Sequence, residues 1–258
     1  MLKVLDLCSG IGGFSLGLEQ TGFFKTIAFC ENNIFCKKIL KKHWDNIPIY
    51  DNIINIANDP TTIKEKFEVV VSGLPCQPYS LAGNQKGKTD NRHLWNYMFK
   101  IIKQKKPTWI IFENVPNFIP LALDDMLLDL ETENYTTESF IIPACSVGAP
   151  HKRNRLWVIG RFMGDTTSNG REKINSSKKE KSIFNKSFTG RMFKSSGTNS
   201  STHKFKLDNW FFKSSICGVS NGIPSRLDKN RIEALGNSVV PQIAFNIGLT
   251  IKTLTHGR

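Results

Sequence analysis

Cys76 stands between Pro75 and Pro78 in the stretch GLPCQPYS (73–80). Each proline fixes a backbone φ beside the thiol, and a thiol is chemically useful once it becomes a thiolate on an accessible, stiffened loop. A second reactive side chain, Glu113, opens Glu113-Asn114-Val115-Pro116, and Arg153 and Arg155 lie two residues apart further on. On an extended chain side chains two apart face the same side. Two like charges there call for an anionic partner, and either Glu113 or a phosphate would serve. Near the N-terminus, Asp6 precedes a glycine-rich turn at 8–13, and Glu31 follows about twenty residues past its first glycine, the spacing of an acid that takes ribose hydroxyls. The dinucleotide fingerprint is incomplete, because Ser15 occupies the position of its third glycine. With no pyrophosphate to seat, the helix N-terminus is free to hold the carboxylate of an amino-acid moiety.

Each of these groups falls at the end of an apolar run. The pattern predicts strands at 3–7, 26–30, 47–50, 67–72, 109–112, 135–142 and 156–159. Helical stretches are expected from Phe14 to a stop at Gly22, at 35–44, at 94–102 and at 243–254, with Pro241 in the first turn of the last. Residues 235–242 read as a turn feeding that helix. Strands alternating with helices argue for a mostly parallel α/β sheet, whose ligand chemistry lies at the carboxyl ends of the strands. The polar loop 81–92, with Lys86, Lys88 and Arg92, is long and lacks an apolar period, which marks it as functional or mobile.

The 258 residues make one large domain or a domain with a small appendage. No apolar run approaches the roughly 18 residues of a membrane span. The N-terminus enters a strand in place of a signal peptide, so a cytoplasmic location is expected. Cys8, Cys30, Cys36, Cys76, Cys145 and Cys217 form no CxxC pair and have no histidine at ligand spacing, which argues against a zinc site or a disulfide framework. The net charge of +13 suggests a polyanionic partner. Residues 161–213 carry twelve Lys/Arg against four Asp/Glu, a net of +8. Much of that segment is Ser, Lys, Asn, Gly and Thr, which cannot form a sizeable core; Trp210, Phe211 and Phe212 mark a return to packed structure. The expected division is therefore a catalytic and cofactor-binding domain at 1–160, a short basic linker or target-recognition region at 161–213, and a C-terminal segment at 214–258 that returns to the first domain.

Taken together and in order, these motifs resemble the DNA cytosine-5 methyltransferases. DLCSGIGG (6–13) is similar to the family's cofactor loop and GLPCQPYS (73–80) to its nucleophile loop. ENV (113–115) looks like the acid motif, HKRNR (151–155) the arginine motif and GNSVVPQ (236–242) the last motif. The likeness covers the chain except about residues 163–206. It implies a Rossmann-like α/β methyltransferase fold with a mostly parallel sheet and a short, poorly structured target-recognition segment. It implies S-adenosylmethionine as cofactor, no metal, double-stranded DNA as substrate, a monomer, and a restriction-modification setting with a cognate endonuclease as possible partner.

The chemistry explains why such residues are wanted. Cytosine C5 is too weak a nucleophile to take a methyl group from a sulfonium, but a thiolate added at C6 makes an enamine whose C5 can attack. The resemblance casts Cys76 as that thiolate and Glu113 as the carboxyl that supplies a proton at N3. Arg153 and Arg155 would hold O2 and orient Glu113, with Arg153 also near the backbone phosphate. A base, expected to be water, then removes the C5 proton and Cys76 leaves. The target base must be flipped out of the duplex, and Ser80, Gln85, Lys86, Lys88 and Arg92 are the expected DNA contacts. For the cofactor, the resemblance assigns Asp6, Gly10, Gly12 and Gly13 to the methionine end, Glu31 to the ribose, and Asn52 with Ile53 to the adenine, and counts Asn32 among the cofactor residues. Pro75, Leu94, Asn237, Ser238 and Val239 complete the walls.

Three departures stand out: Cys8 where the family usually has Phe at the adenine, Asn52 in place of Asp, and His151 in place of Gln. Two other readings share the motifs, a tRNA cytosine methyltransferase and an inactive DNA-binding relative. The polymer that accepts methyl separates the first; the intact Cys76, Glu113, Arg153 and Arg155 argue against the second.

Overall fold

The computed structural model describes residues 1–59, 61–75, 94–164 and 225–256, with the side chains of residues 225–229 and 232 excepted. The expected basic region at 161–213 lies outside these residues from 165 onward, as do Trp210, Phe211 and Phe212.

Seven strands form one sheet: β1 (Leu2–Leu7), β2 (Phe24–Cys30), β3 (Ile49–Tyr50), β4 (Val69–Ser72), β5 (Trp109–Asn114), β6 (Tyr135–Pro143) and β7 (Asn154–Phe162). Their spatial order is β3-β2-β1-β4-β5-β7-β6. The first five are parallel, and β7 runs antiparallel to both β5 and β6. The sheet is therefore mostly parallel, as the alternation of strands and helices implies. β7 runs two residues past position 160.

A sheet covered on both faces needs apolar side chains on both, and β4 supplies them in strict alternation. Val70 faces a core shared with Ile53, Ile56 and Ala57 of α3 (Ile53–Asn58), Met98 and Ile101 of α4 (Trp95–Lys105), and Met126 and Leu130 of α5 (Asp124–Thr132). Val69 and Val71 face a second core with Phe14 and Leu18 of α1 (Gly13–Glu19) and with Ile243, Ile247 and Ile251 of the C-terminal helix Pro241–His256. Each fully buried valine contributes about 1.5–3 kcal/mol. α1 and the C-terminal helix cross closely at Gly17, where a Cβ would lie 2.8 Å from that of Ala244.

α2 (Ile34–His43) follows β2, capped by the Asn33 side chain, which accepts from the N–H groups of Phe35 and Cys36. The last two helices are α6 (Ser225–Asn237) and α7 (Pro241–His256). α7 begins at Pro241, the position proline tolerates best. The expected turn at 235–242 is shorter than the sequence suggested: Leu235, Gly236 and Asn237 complete α6, and only residues 238–240 separate the helices. Among the described residues no helix is long and apolar enough to cross a membrane.

Candidate active site

The carboxyl ends of β1 to β5 open on one side of the sheet, around the β1/β4 junction where strand order reverses, the usual place for a ligand crevice in such sheets. β1 ends in the glycine turn. Cys8, Gly10 and Gly12 all adopt positive φ, at 52°, 55° and 84°, folding the turn back so that Ser9 N–H donates to the Cys30 carbonyl at 3.1 Å. The non-glycine at position 15 has a physical reason. Ser15 Oγ donates to Asp6 Oδ2 at 2.7 Å in a buried pair, and burial raises the Asp6 carboxyl to about 7. Glu31, at the end of β2, accepts from Gly10 N–H and from Asn33 N–H, both at 2.7 Å, tying the turn to the start of α2. At the end of β3, Asn52 caps α3 by accepting from Ile54 N–H at 2.9 Å.

Glu113 and Arg155 meet because of register. Glu113 pairs with Trp157 across the antiparallel β5–β7 ladder. Arg155, two residues earlier on β7, shares that face. Arg155 Nε lies 3.0 Å from Glu113 Oε1, and the two side chains are 21% and 9% exposed. Burial dominates the electrostatics: it raises the Glu113 carboxyl from its ordinary 4.5 to about 7, against the lowering pull of Arg155 and, more weakly, Arg153. Glu113 Oε2 lies over Gly73, the residue at the end of β4 that leads toward Cys76; a Cβ at Gly73 would be 3.6 Å from it. Cys76 itself lies outside the described residues, as do Ser80, Gln85, Lys86, Lys88 and Arg92.

Arg153 differs from the expectation that both arginines hold Glu113. Its φ of 32° breaks the extended backbone that the spacing rule requires. Its Nη2 donates to the carbonyls of Gly236 and Ser238, at 2.7 and 2.8 Å. Arg153 acts on Glu113 through charge at longer range.

These strand ends enclose a cavity of about 540 Å³, within the size range of small-molecule sites. Of the expected cofactor residues, Cys8, Gly10, Glu31, Asn32, Asn52, Ile53, Pro75, Leu94 and Asn237 line it, together with Glu113 and Arg155. Asp6, Gly12, Gly13, Ser238 and Val239 do not. Gly12 and Gly13 have a packing role: a Cβ at Gly12 would lie 2.7 Å from the Trp44 ring, and one at Gly13 would lie 2.6 Å from the Val239 carbonyl. The Val239 carbonyl thus lies close against Gly13 at the start of α1.

The cavity further includes Gly73, Asn114 and Val115 from the nucleophile and acid motifs, and Cys30, Phe35, Cys36, Asp51, Asn230 and Glu233, to which the sequence reading gave no site role. Most directly follow a strand end or a named motif residue, which is the signal that could have found them. Asn230 and Glu233 come from α6 and had none. The cavity thiols are held neutral. Burial pushes Cys8 well up, Cys30 to about 12 and Cys36 to about 11, so none is a ready nucleophile at neutral pH. Among the described residues no cluster of His, Cys, Asp and Glu could hold a metal ion.

The comparisons agree with this geometry. The family model described as "C-5 cytosine-specific DNA methylase" matches residues 2–216. The Type II methyltransferase M2.BsuMI of Bacillus subtilis is 33% identical over 173 residues, covering 64% of this chain and 43% of that protein. M.AplI of Arthrospira platensis is 34% identical over 161 residues, covering 61% and 45%. The match thus spans less than half of either relative. Among solved structures, Dnmt2 methyltransferase of S. pombe aligns with a TM-score of 0.63 at 16% identity, covering 98% of this chain and 99% of that one. A DNMT2 mutant from Spodoptera frugiperda aligns at 0.54 with 24% identity, covering 66% and 53%. These neighbours share the Rossmann-like methyltransferase fold. With the family model covering most of its length, the chain belongs to the C-5 cytosine-specific DNA methylases.

Proposed function

We propose that the protein transfers a methyl group to C5 of cytosine in double-stranded DNA, in a restriction-modification setting. The observation that carries this reading is Glu113. It is buried, held by Arg155 and raised to about 7, in a cavity whose wall runs through Gly73, Leu74 and Pro75 toward Cys76.

The residues present fit S-adenosylmethionine. Glu31, Asp51, Glu113 and Glu233 line the cavity against Arg155, and Asp51 pairs with Lys37 at 2.6 Å. The remaining carboxylate excess suits a ligand bearing a sulfonium and an ammonium group. Glu31 would take the ribose hydroxyls, with Asn52 and Ile53 beside the adenine. When bound, the cofactor supplies an activated methyl group.

The chain's own residues account for the rest. The Cys76 thiolate adds to C6 of the flipped cytosine, and negative charge develops on the ring. Near neutral pH Glu113 retains its proton for a large share of the time, so it can donate at N3 where that charge collects. Arg155 fixes the Glu113 carboxyl and presents a cation to O2. Once the methyl group is on C5, loss of the C5 proton lets the Cys76–C6 bond break and returns the thiolate.

The test is methyl transfer from labelled S-adenosylmethionine, offered duplex DNA and tRNA in parallel. The proposal expects label in DNA alone. Label in tRNA alone would replace it with the RNA reading, and folded protein that binds cofactor but labels neither would overturn it.

A further inference from the structure

Arg153 belongs to the arginine motif but precedes the extended strand that carries Arg155. Its backbone has φ 32°, and its Nη2 donates to Gly236 O at 2.7 Å and Ser238 O at 2.8 Å. These carbonyls lie at the C-terminal end of α6, where the last carbonyls lack intrahelical partners and the helix dipole favours a cation. α6 directs Asn230, Glu233, Ala234 and Asn237 into the cavity, a stripe at i, i+3, i+4 and i+7 that makes one wall. Just beyond, the Val239 carbonyl rests on Gly13 of the glycine turn, which has no room for a Cβ. One guanidinium thus fixes both the helix that walls the cavity and the turn that rests on the N-terminal loop.

We propose that Arg153 is a positioning residue for the cofactor: it seats the α6–α7 turn over the cavity and sets affinity for S-adenosylmethionine, without contacting the cytosine. This assignment rests on the methyltransferase reading. It separates the roles of the two arginines, with Arg155 on Glu113 and Arg153 on the α6–α7 turn. It also means that the cofactor site is completed by the C-terminal segment, and that this segment is held by a residue of the base-binding motif.

The experiment measures S-adenosylmethionine affinity by titration calorimetry without DNA, and kcat and KM with genomic DNA, for wild type, Arg153→Ala and Arg153→Lys. Thermal unfolding verifies that each variant is folded. Loss of two charge-assisted hydrogen bonds should raise the cofactor Kd and KM about ten- to a hundredfold in Arg153→Ala, with kcat changed far less. Arg153→Lys, which keeps a cationic donor, should recover part of the affinity. An unchanged cofactor Kd with a collapse of kcat, in either variant, would overturn the assignment and return Arg153 to the base or the phosphate. If Arg153→Ala does not fold, the lysine variant decides on the same criteria. Wild-type protein that binds no cofactor would overturn the methyltransferase reading itself, and this assignment with it.

Discussion

Glu113→Gln should make the protein more stable at pH 8 while removing its activity. The buried Glu113 carboxyl is raised from 4.5 to about 7, so between those pH values the folded chain holds a proton that the unfolded chain releases. Its stabilising contribution is complete below 4.5 and is lost as pH rises through about 7. At 1.36 kcal/mol per pH unit, keeping Glu113 ionised in the fold at pH 8 costs about 3 kcal/mol. Glutamine has nearly the same shape, still offers an oxygen to Arg155 Nε, and carries no proton to lose. The variant should therefore melt roughly 6–12 °C above wild type at pH 8 for a chain of this size, and the gain should shrink to under about 1 kcal/mol at pH 5. Asp6, raised to about 7 in the same way, is present in both proteins and cancels. Turnover should fall by about 10²–10⁴, the range for a lost general acid. Thermal unfolding at the two pH values, alongside methyl-transfer rates, is the assay. An unchanged or lower melting temperature at pH 8, or a gain that persists at pH 5, would refute the assignment of Glu113 as a carboxyl kept protonated by burial.

Glu31→Ala removes the acceptor for Gly10 N–H and Asn33 N–H as well as the expected ribose contact. It should weaken S-adenosylmethionine binding by about tenfold or more, by analogy with other lost charge-assisted bonds, which calorimetry without DNA would read. Gly17→Ala forces a methyl group into the crossing of α1 and α7, against Ala244 and the Pro241 backbone. It should cost about 1–3 kcal/mol as overpacking, seen as a lower melting temperature with cofactor affinity per folded molecule retained.

The parallel strands were legible because each is a short apolar run, and residues at their carboxyl ends, Cys8, Glu31, Asp51, Gly73 and Asn114, line the cavity. Glu113 was legible as one of two anionic partners for the arginines, the other being a phosphate, and the period of two along β7 holds for Arg155. It failed for Arg153, because that residue lies one step before the strand and takes a positive φ, which no spacing rule reveals. α3 escaped notice because six residues are too few to display a helical period. α5 is preceded by a π-helical turn at Ile119–Leu123 that contains Pro120, and a proline there argues against a helix. Only the last three residues of α6 fell within the expected turn at 235–242, and the rest of the helix, Ser225 to Ala234, was assigned to no element. The tight packing of Gly12 against Trp44 and of Gly13 against Val239 was not legible, because these partners lie far away in sequence. Glycines that serve close packing look the same in sequence as glycines that cradle a ligand.

The measurement that bears most directly on the central claim is nucleoside mass spectrometry of plasmid DNA. The plasmid would be recovered from a host that lacks cytosine methylation, after expression of either wild-type protein or Cys76→Ser. The account predicts 5-methyldeoxycytidine with the wild type and none with the serine variant, both proteins being folded and binding S-adenosylmethionine. Methyl groups on an exocyclic amine in place of C5, or 5-methyldeoxycytidine undiminished in the serine variant, would contradict it.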